Sequence, residues 1–315
     1  MRGKGFRVSE RDTFLGFAAV EAGALQPGAA EVVVLGVPHG VPYPEPGLTA
    51  GCADAPAAIR ARSRRLARFA GNHDFDLDGP MVPADVRFRV VDAGDVAGSP
   101  DDGTGNAQRA EEAVRAVLAA RAIPIVLGGD DSIPVPALRA YDAAGPLTVV
   151  QVDAHLDFRD EVAGVRDGYS SPMRRASEMA HVQRIVQVGL RGVGSARDGD
   201  VADARAAGNL LVTARELDER GVEWLIGQVP ADASVFLAFD LDGLDPSVAP
   251  GVSGLSPGGL GYWQASALVQ GLARERRLAG AAFTELVPSL DPDGRSALVV
   301  ARLLMQLIGA LARRT

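Results

Sequence analysis

The chain is short of the residues from which simple sites are built. Its 315 residues include one cysteine, four histidines and 5% aromatics, and its 32 Lys+Arg fall short of its 40 Asp+Glu. A single cysteine excludes an intramolecular disulfide framework and a cysteine-based zinc cluster. Cys52 stands in a Gly/Ala-rich stretch with nothing beside it to activate a thiolate, and reads as a passive residue. The net charge of −8, with no basic block, argues against nucleic acid as a partner. No apolar run approaches ~20 residues, so no membrane span is expected. The opening segment MRGKGFRVSERDTF lacks the apolar core of a signal peptide, which makes a cytoplasmic location the expectation.

What the chain does have is alternation. Short runs rich in β-branched residues lie at 31–38, 88–95, 122–130, 147–153, 184–190, 209–213, 234–240 and 280–286. Their lengths suit strands buried on both faces. Segments 107–121, 214–229, 262–276 and 296–314 carry a helical period between or after them. Such alternation predicts an α/β protein with a parallel sheet and helices on both faces. The Pro/Gly-rich stretches 36–47, 98–105 and 246–259 follow strands and read as loops at strand ends. With no repeat and no low-complexity linker, 1–315 reads as one domain.

Acidic residues gather where these runs end. They form 128-GGDDS-132, 153-DAHLD-157 and 240-DLDGLDP-246, and Glu285 follows the last run in 283-FTELVP-288. Side chains alternate along an extended strand end, so Asp153, His155 and Asp157 share one side, as do Asp240 and Asp242. Converging carboxylates repel, and burial raises the cost of ionising them. Cations placed between them remove that conflict. A lone DxD ordinarily caps a helix or turn, and a lone histidine is ordinarily satisfied by its surroundings. The conjunction of DxHxD, DxD and a third acidic strand end points to a metal site. Oxygen ligands with one imidazole suit Mn²⁺, with Mg²⁺, Ni²⁺, Fe²⁺ and Zn²⁺ as competitors.

These segments resemble the ureohydrolase family of arginases, agmatinases and guanidinobutyrases. The segments 35-LGVPHG-40, 51-GCADAPAAIRARS-63 and 91-VDAGDV-96 are similar to entry motifs of the agmatinase branch. The segments 153-DAHLD-157 and 239-FDLDGLDPSVAPG-251 match family signatures almost letter for letter, and Glu285 matches a late glutamate. The resemblance implies a three-layer α/β/α sandwich, arginase/deacetylase-like, with a central, mostly parallel sheet of about eight strands. It implies two manganese ions sharing a bridging hydroxide, which attacks a guanidino carbon to release urea and an amine. By position, Asp153 and Asp240 would bridge the metals, His155 and Asp242 would complete one site, and Asp157 would bind the other metal and orient the hydroxide. Glu285 would hold the small cationic guanidino substrate. Relatives are trimers or hexamers, so a homo-oligomer is expected.

Two positions depart from the family. Its usual GGDHS is here GGDDS, so Asp131 occupies the position of a metal-binding histidine. The extra carboxylate makes the site about one charge more negative, which favours hard ions, loosens one metal and weakens the activation of water. A one-metal site in which Asp131 does not ligate is the competing reading. In 167-DGYSSPMRR-175, Tyr169 stands where many agmatinases carry a histidine that moves protons, making Tyr169 or bulk water the donor to the leaving nitrogen. His39 reads as a surface-loop residue with some reach toward the mouth, and His73 and His181 have no motif support. Arg159 and Arg166 are candidates to read a substrate carboxylate, against the plainer reading of a solvated loop with internal ion pairs. A weakly active or non-catalytic ligand-binding or partner subunit is the alternative function, and a single-zinc deacylase on the same fold is a further rival.

Overall fold

The computed structural model describes residues 13–44 and 48–314. All eight expected runs form strands: β2 (Val32–Val37), β3 (Val90–Asp95), β4 (Ile123–Gly128), β5 (Leu147–Val152), β6 (Val182–Leu190), β7 (Leu210–Thr213), β8 (Ser234–Asp240) and β9 (Arg277–Thr284). A two-residue edge strand, β1 (Ala18–Ala19), pairs with β3 and is too short to show a period. The nine strands make one parallel sheet in the order β1-β3-β2-β4-β9-β8-β5-β6-β7.

Alternate residues of each strand feed two cores. Val150, Val152, Leu237 and Phe239 pack on one face with Ile59, Leu268 and Leu304. Val149, Phe236 and Ala238 pack on the other with Val114, Leu138 and Met173. The first face is covered by α1 (Ala55–Ala67), α6 (Ala214–Arg220), α7 (Val222–Gly227), α8 (Tyr262–Glu275) and α9 (Arg295–Ala312). The second is covered by α2 (Gly103–Ala119), α3 (Pro134–Arg139), α4 (Pro172–Ser177) and α5 (Asp198–Ala206). The result is the three-layer α/β/α sandwich.

Local chemistry explains where helices depart from their expected limits. The segment 214–229 is two helices rather than one, because Gly221 sits at φ +82° between them. The second long helix begins at Gly103, earlier than its apolar period, because Asp102 caps it by accepting from Gly105 N at 3.0 Å. The last helix is long and apolar enough to cross a membrane by length and composition, although Arg295 and Arg302 interrupt its apolar run. Here it is a core helix, packed on α1 and α8 with most of its residues buried.

The entry motifs are structural partners. Arg60, on α1, donates from Nε and Nη2 to the two carboxylate oxygens of Asp92, each at 2.9 Å, and Nη1 reaches Asp95. Asp92 also accepts from Phe14 N at 2.7 Å and Gly94 N at 2.8 Å. Thus 51–63 and 91–96 tie α1 to the sheet. Replacing Arg60 by alanine leaves Asp92 buried without its cation, so Arg60→Ala should lower unfolding stability by about 3–5 kcal/mol, measured by denaturant titration. An unchanged midpoint would mean that the pair is not holding the layer.

Candidate metal centre

The four acidic segments lie on four adjacent strands. GGDDS ends β4, Glu285 follows β9, DLD ends β8 and DAHLD follows β5, and these strands are consecutive neighbours in the sheet. Register brings their ends level: Asp240 lies opposite Thr284, and Val152 opposite Phe239. Such carboxyl ends of parallel strands are where α/β sheets bind ligands.

Two groups of potential ligand atoms result, each with all its atoms within 4.8 Å of one another. One contains Asp153, His155 and Asp242, the other Asp131, Asp153 and Asp240, so Asp153 is common to both. Asp157 stands beside them within hydrogen-bonding reach of Asp153 and Asp131. All five aspartates are buried and His155 is half-buried. The structure therefore brings together every acid and the one histidine expected at the centre.

The backbone aims these groups. His155 N donates to Asp153 Oδ1 at 2.6 Å, Ala154 N to Asp242 Oδ1 at 3.1 Å, and Asp242 N to Asp240 Oδ1 at 2.7 Å. Asp131 N donates to Glu285 Oε1 at 2.8 Å, and Glu285 N to Gly129 O at 2.9 Å. Asp157 and Glu285 both take positive φ, 46° and 66°, an uncommon conformation for residues with side chains. Such strain, of order 1–3 kcal/mol per residue, persists where the surroundings over-determine it. Gly194 and Gly254 allow close packing on His155: a Cβ at Gly194 would lie 2.5 Å from His155 Cδ2, and one at Gly254 would lie 2.9 Å from Asp242 Oδ2.

Several contributors escaped the motif reading. Arg191 donates to the carbonyls of Gly189, Asp242, Gly243, Leu244, Ser256 and Pro257, clamping the loop after β8. Thr284 Oγ1 donates to Asp131 Oδ1 at 2.6 Å. Cys52 is passive as a thiol, as expected, because burial and then Glu285 push it up, but it does not lie in an open loop: it is buried, and its Sγ lies 3.7 Å from Glu285 Oε2. Tyr43 packs against Tyr169 with ring centroids 4.4 Å apart and planes tilted by 50°, and its hydroxyl accepts from Ser170 N at 3.0 Å. None of these carries a spacing signal, since each acts through a partner remote in sequence.

Tyr43 and Asp130 also line a cavity of about 970 Å³, together with His39, Arg139, Arg166 and Arg175. His39 therefore faces this space rather than only the surface. The cavity arginines are already paired, Arg139 with Asp167, Arg166 with Asp160, and Arg175 with Asp160 and Glu178. Arg159 pairs with Asp200. The plainer reading of this charged loop matches these contacts.

The electrostatics match the crowding. Burial and then neighbouring Asp242 push Asp153 up to about 6, and burial and then Asp130 push Glu285 up to about 8. Asp131, Asp157 and Asp240 are likewise raised, chiefly by burial. Hydrogen bonds to Asp153 and Asp242 push His155 up to about 10, so a proton sits where its Nδ1 faces Asp242 Oδ2 at 3.0 Å. A bound cation would take that proton's place. With the neighbouring carboxylates ionised, Asp131 Oδ2 is buried with no hydrogen-bond donor, since the one carboxyl within its reach is that of Asp157. An orphaned carboxylate oxygen beside Asp153 and Asp240 is the feature a cation would satisfy, so these residues fit the metal reading.

The sign of the pH effect follows. Without metal, Asp153 and Glu285 bind protons more tightly folded than unfolded, so their stabilising contribution is present below their unfolded values near 4. That contribution is lost as pH rises through about 6 and about 8. Metal-free protein should therefore melt progressively lower across that window, and added divalent cation should restore the melting temperature most at its upper end. A melting temperature that rises with pH in chelator would refute this.

Comparison with known proteins agrees with the fold and the arrangement at the strand ends. The Arginase family model matches residues 30–309. Guanidinopropionase of Pseudomonas aeruginosa is 34% identical over 294 residues, covering 91% of this chain and 88% of that protein. Agmatinase of Pyrococcus horikoshii is 31% identical, covering 90% and 93%. The solved structure of proclavaminate amidinohydrolase from Streptomyces clavuligerus superposes with a TM-score of 0.81 at 28% identity, covering 98% of this chain and all of that one. Sheet and site define a parallel α/β hydrolase with clustered acids at its strand ends. The chain belongs to the arginase family.

Proposed function

We propose that this hydrolase cleaves a small guanidino compound, agmatine or a short guanidino acid, to urea and an amine at a centre holding two divalent cations. The observation that carries the reading is the pair of ligand groups sharing Asp153, with Glu285 held beside them by Asp131 N. Asp153, His155 and Asp242 would hold one cation, and Asp131, Asp153 and Asp240 the other, with Asp157 alongside. Mn²⁺ is the first choice, because the donors are oxygens with a single imidazole. Bound cations lower the pKa of water, which supplies a strong nucleophile at neutral pH.

The chain's own residues do the rest. Guanidinium carbon is a poor electrophile and must be fixed in place. Glu285 offers a carboxylate whose position is set from both sides, by Asp131 N and by Cys52 Sγ, to accept guanidinium N–H groups in a charge-assisted pair. Water adds to the carbon, the bond to the substituted nitrogen breaks, and both water protons end on the leaving amine as ammonium. Asp157, buried beside Asp153 and Asp131, is the group we assign to carry a proton between them. Tyr169 is pushed up to about 12 by burial and then by Tyr43. A phenol that weakly acidic holds its proton at neutral pH but gives it up poorly, which favours Asp157 or water over Tyr169 as the donor to the leaving nitrogen. The cavity beside Asp130 and Tyr43 would take the substrate's tail.

Asp131 gives the centre five carboxylates against two divalent cations. The reading is therefore of a site that prefers hard ions and works at higher pH than a histidine-bearing relative. Urea release from agmatine, guanidinopropionate, guanidinobutyrate and arginine after reconstitution with Mn²⁺, Ni²⁺ or Zn²⁺ tests the proposal, and no urea with any combination would sink it. Glu285→Gln should lower kcat/KM by about 10–100-fold, the scale of one charge-assisted hydrogen bond. Asp131→His should move the midpoint of the pH–rate profile downward and raise affinity for Zn²⁺ relative to Mn²⁺. An unmoved profile would remove Asp131 from the ligand set.

A further inference from the structure

A buried row of amides leads to the centre from the edge of the sheet. Asn209 precedes β7, Gln187 lies on β6 and Gln151 on β5, and Gln151 and Gln187 are register partners. Their residues are 9%, 0% and 1% exposed. Asn209 Nδ2 donates to Gln187 Oε1 at 2.8 Å. Gln187 Nε2 donates to Gln151 Oε1 at 2.6 Å and to the carbonyl of Leu156 at 2.7 Å. Gln151 Nε2 donates to Asp153 Oδ2 at 2.6 Å and reaches Asp157 Oδ2 at 3.5 Å. The row lies on the sheet face where Leu147, Val149 and Ile185 build the apolar core.

The direction of the chain is forced. An amide can ordinarily be turned end for end, but the Leu156 carbonyl can only accept. Gln187 must therefore present its NH₂ to Leu156, and its second N–H then goes to Gln151. That makes Gln151 Oε1 an acceptor and leaves its NH₂ facing Asp153 and Asp157. At the other end, Gln187 Oε1 requires a donor, and Asn209 supplies it. A flipped Gln151 would put its oxygen against two carboxylates.

We propose that Asn209, Gln187 and Gln151 form a positioning relay for the metal centre, in which Gln187 determines which end of Gln151 meets Asp153 and Asp157. The relay rests on the two-cation reading above and deepens it. Its work is orientational: an N–H on Asp153 Oδ2 fixes the rotation of the carboxylate common to both ligand groups. Partners behind metal ligands act in this way, and losing one typically costs 10–100-fold in metal affinity.

The test is Mn²⁺ binding to the full chain, followed by electron paramagnetic resonance of free and bound ion. Gln151→Met and Gln187→Met keep the volume and remove the amide. Each should weaken Mn²⁺ binding by about 10–100-fold and change the bound-ion spectrum. Asn209→Leu, at the outer end, should weaken it only a few-fold and serves if the inner variants do not fold. Gln306→Met is the control: Gln306 is equally buried but bonds Asp76 and Tyr262, so its loss should lower melting temperature and leave Mn²⁺ affinity unchanged. Wild-type affinity and spectrum in the relay variants would overturn the relay, as would an equal loss in Gln306→Met. A wild-type chain that binds no Mn²⁺ would overturn the metal reading itself.

Discussion

The structure turns on mutual repulsion among buried carboxylates. Asp131, Asp153, Asp157, Asp240, Asp242 and Glu285 are all withdrawn from water at one edge of one sheet. Left alone, such a group holds protons and destabilises the fold as they leave. Much of the local architecture counters that tendency. Backbone N–H groups of residues 131, 154, 155 and 242 donate into carboxylates, Arg191 clamps the loop after β8, and Asp157 and Glu285 accept strained backbone angles to stay in place. These devices orient the charges without neutralising them. Cations would complete the arrangement.

A guanidinium is the natural guest of such a place. It is planar, permanently charged and rich in N–H donors, and on the proposed reading it would meet Glu285, whose two oxygens are held by Asp131 N and Cys52 Sγ. The departures from the family pattern change the tuning rather than the plan. Asp131 still reaches Asp153 and Asp240, with Thr284 fixing one of its oxygens and the other left free. Tyr169 still borders the site, half-buried and packed against Tyr43 with the two ring planes tilted by 50°.

The legible part of this chain was periodic or clustered. Eight strands announced themselves as apolar runs, because strands covered on both faces must be apolar throughout. The DxHxD and DxD spacings announced shared sides, because strand side chains alternate. What lacked a period stayed hidden. The edge strand at Ala18–Ala19 has two residues, and α3 and α4 have six each, too few for a face to show. Gln151 and Gln187 belong to no motif, and Cys52 read only as a passive thiol. The contacts that define them are remote in sequence: Gln187 meets Leu156 and Gln151 31 and 36 residues away, and Cys52 meets Glu285 233 residues away.

By itself, the sequence determined the layers, the acids at the strand ends and the side of each strand on which they point. Those follow from local sterics and from the period of burial, which act over a few residues. Only the tertiary structure decided that the ends of β4, β9, β8 and β5 are neighbours, since strand order depends on crossovers and helix packing that no local pattern encodes. That order puts residues 131, 153, 240 and 285 within reach of one another. It also sets the direction of the amides behind them, because one carbonyl, that of Leu156, can only accept.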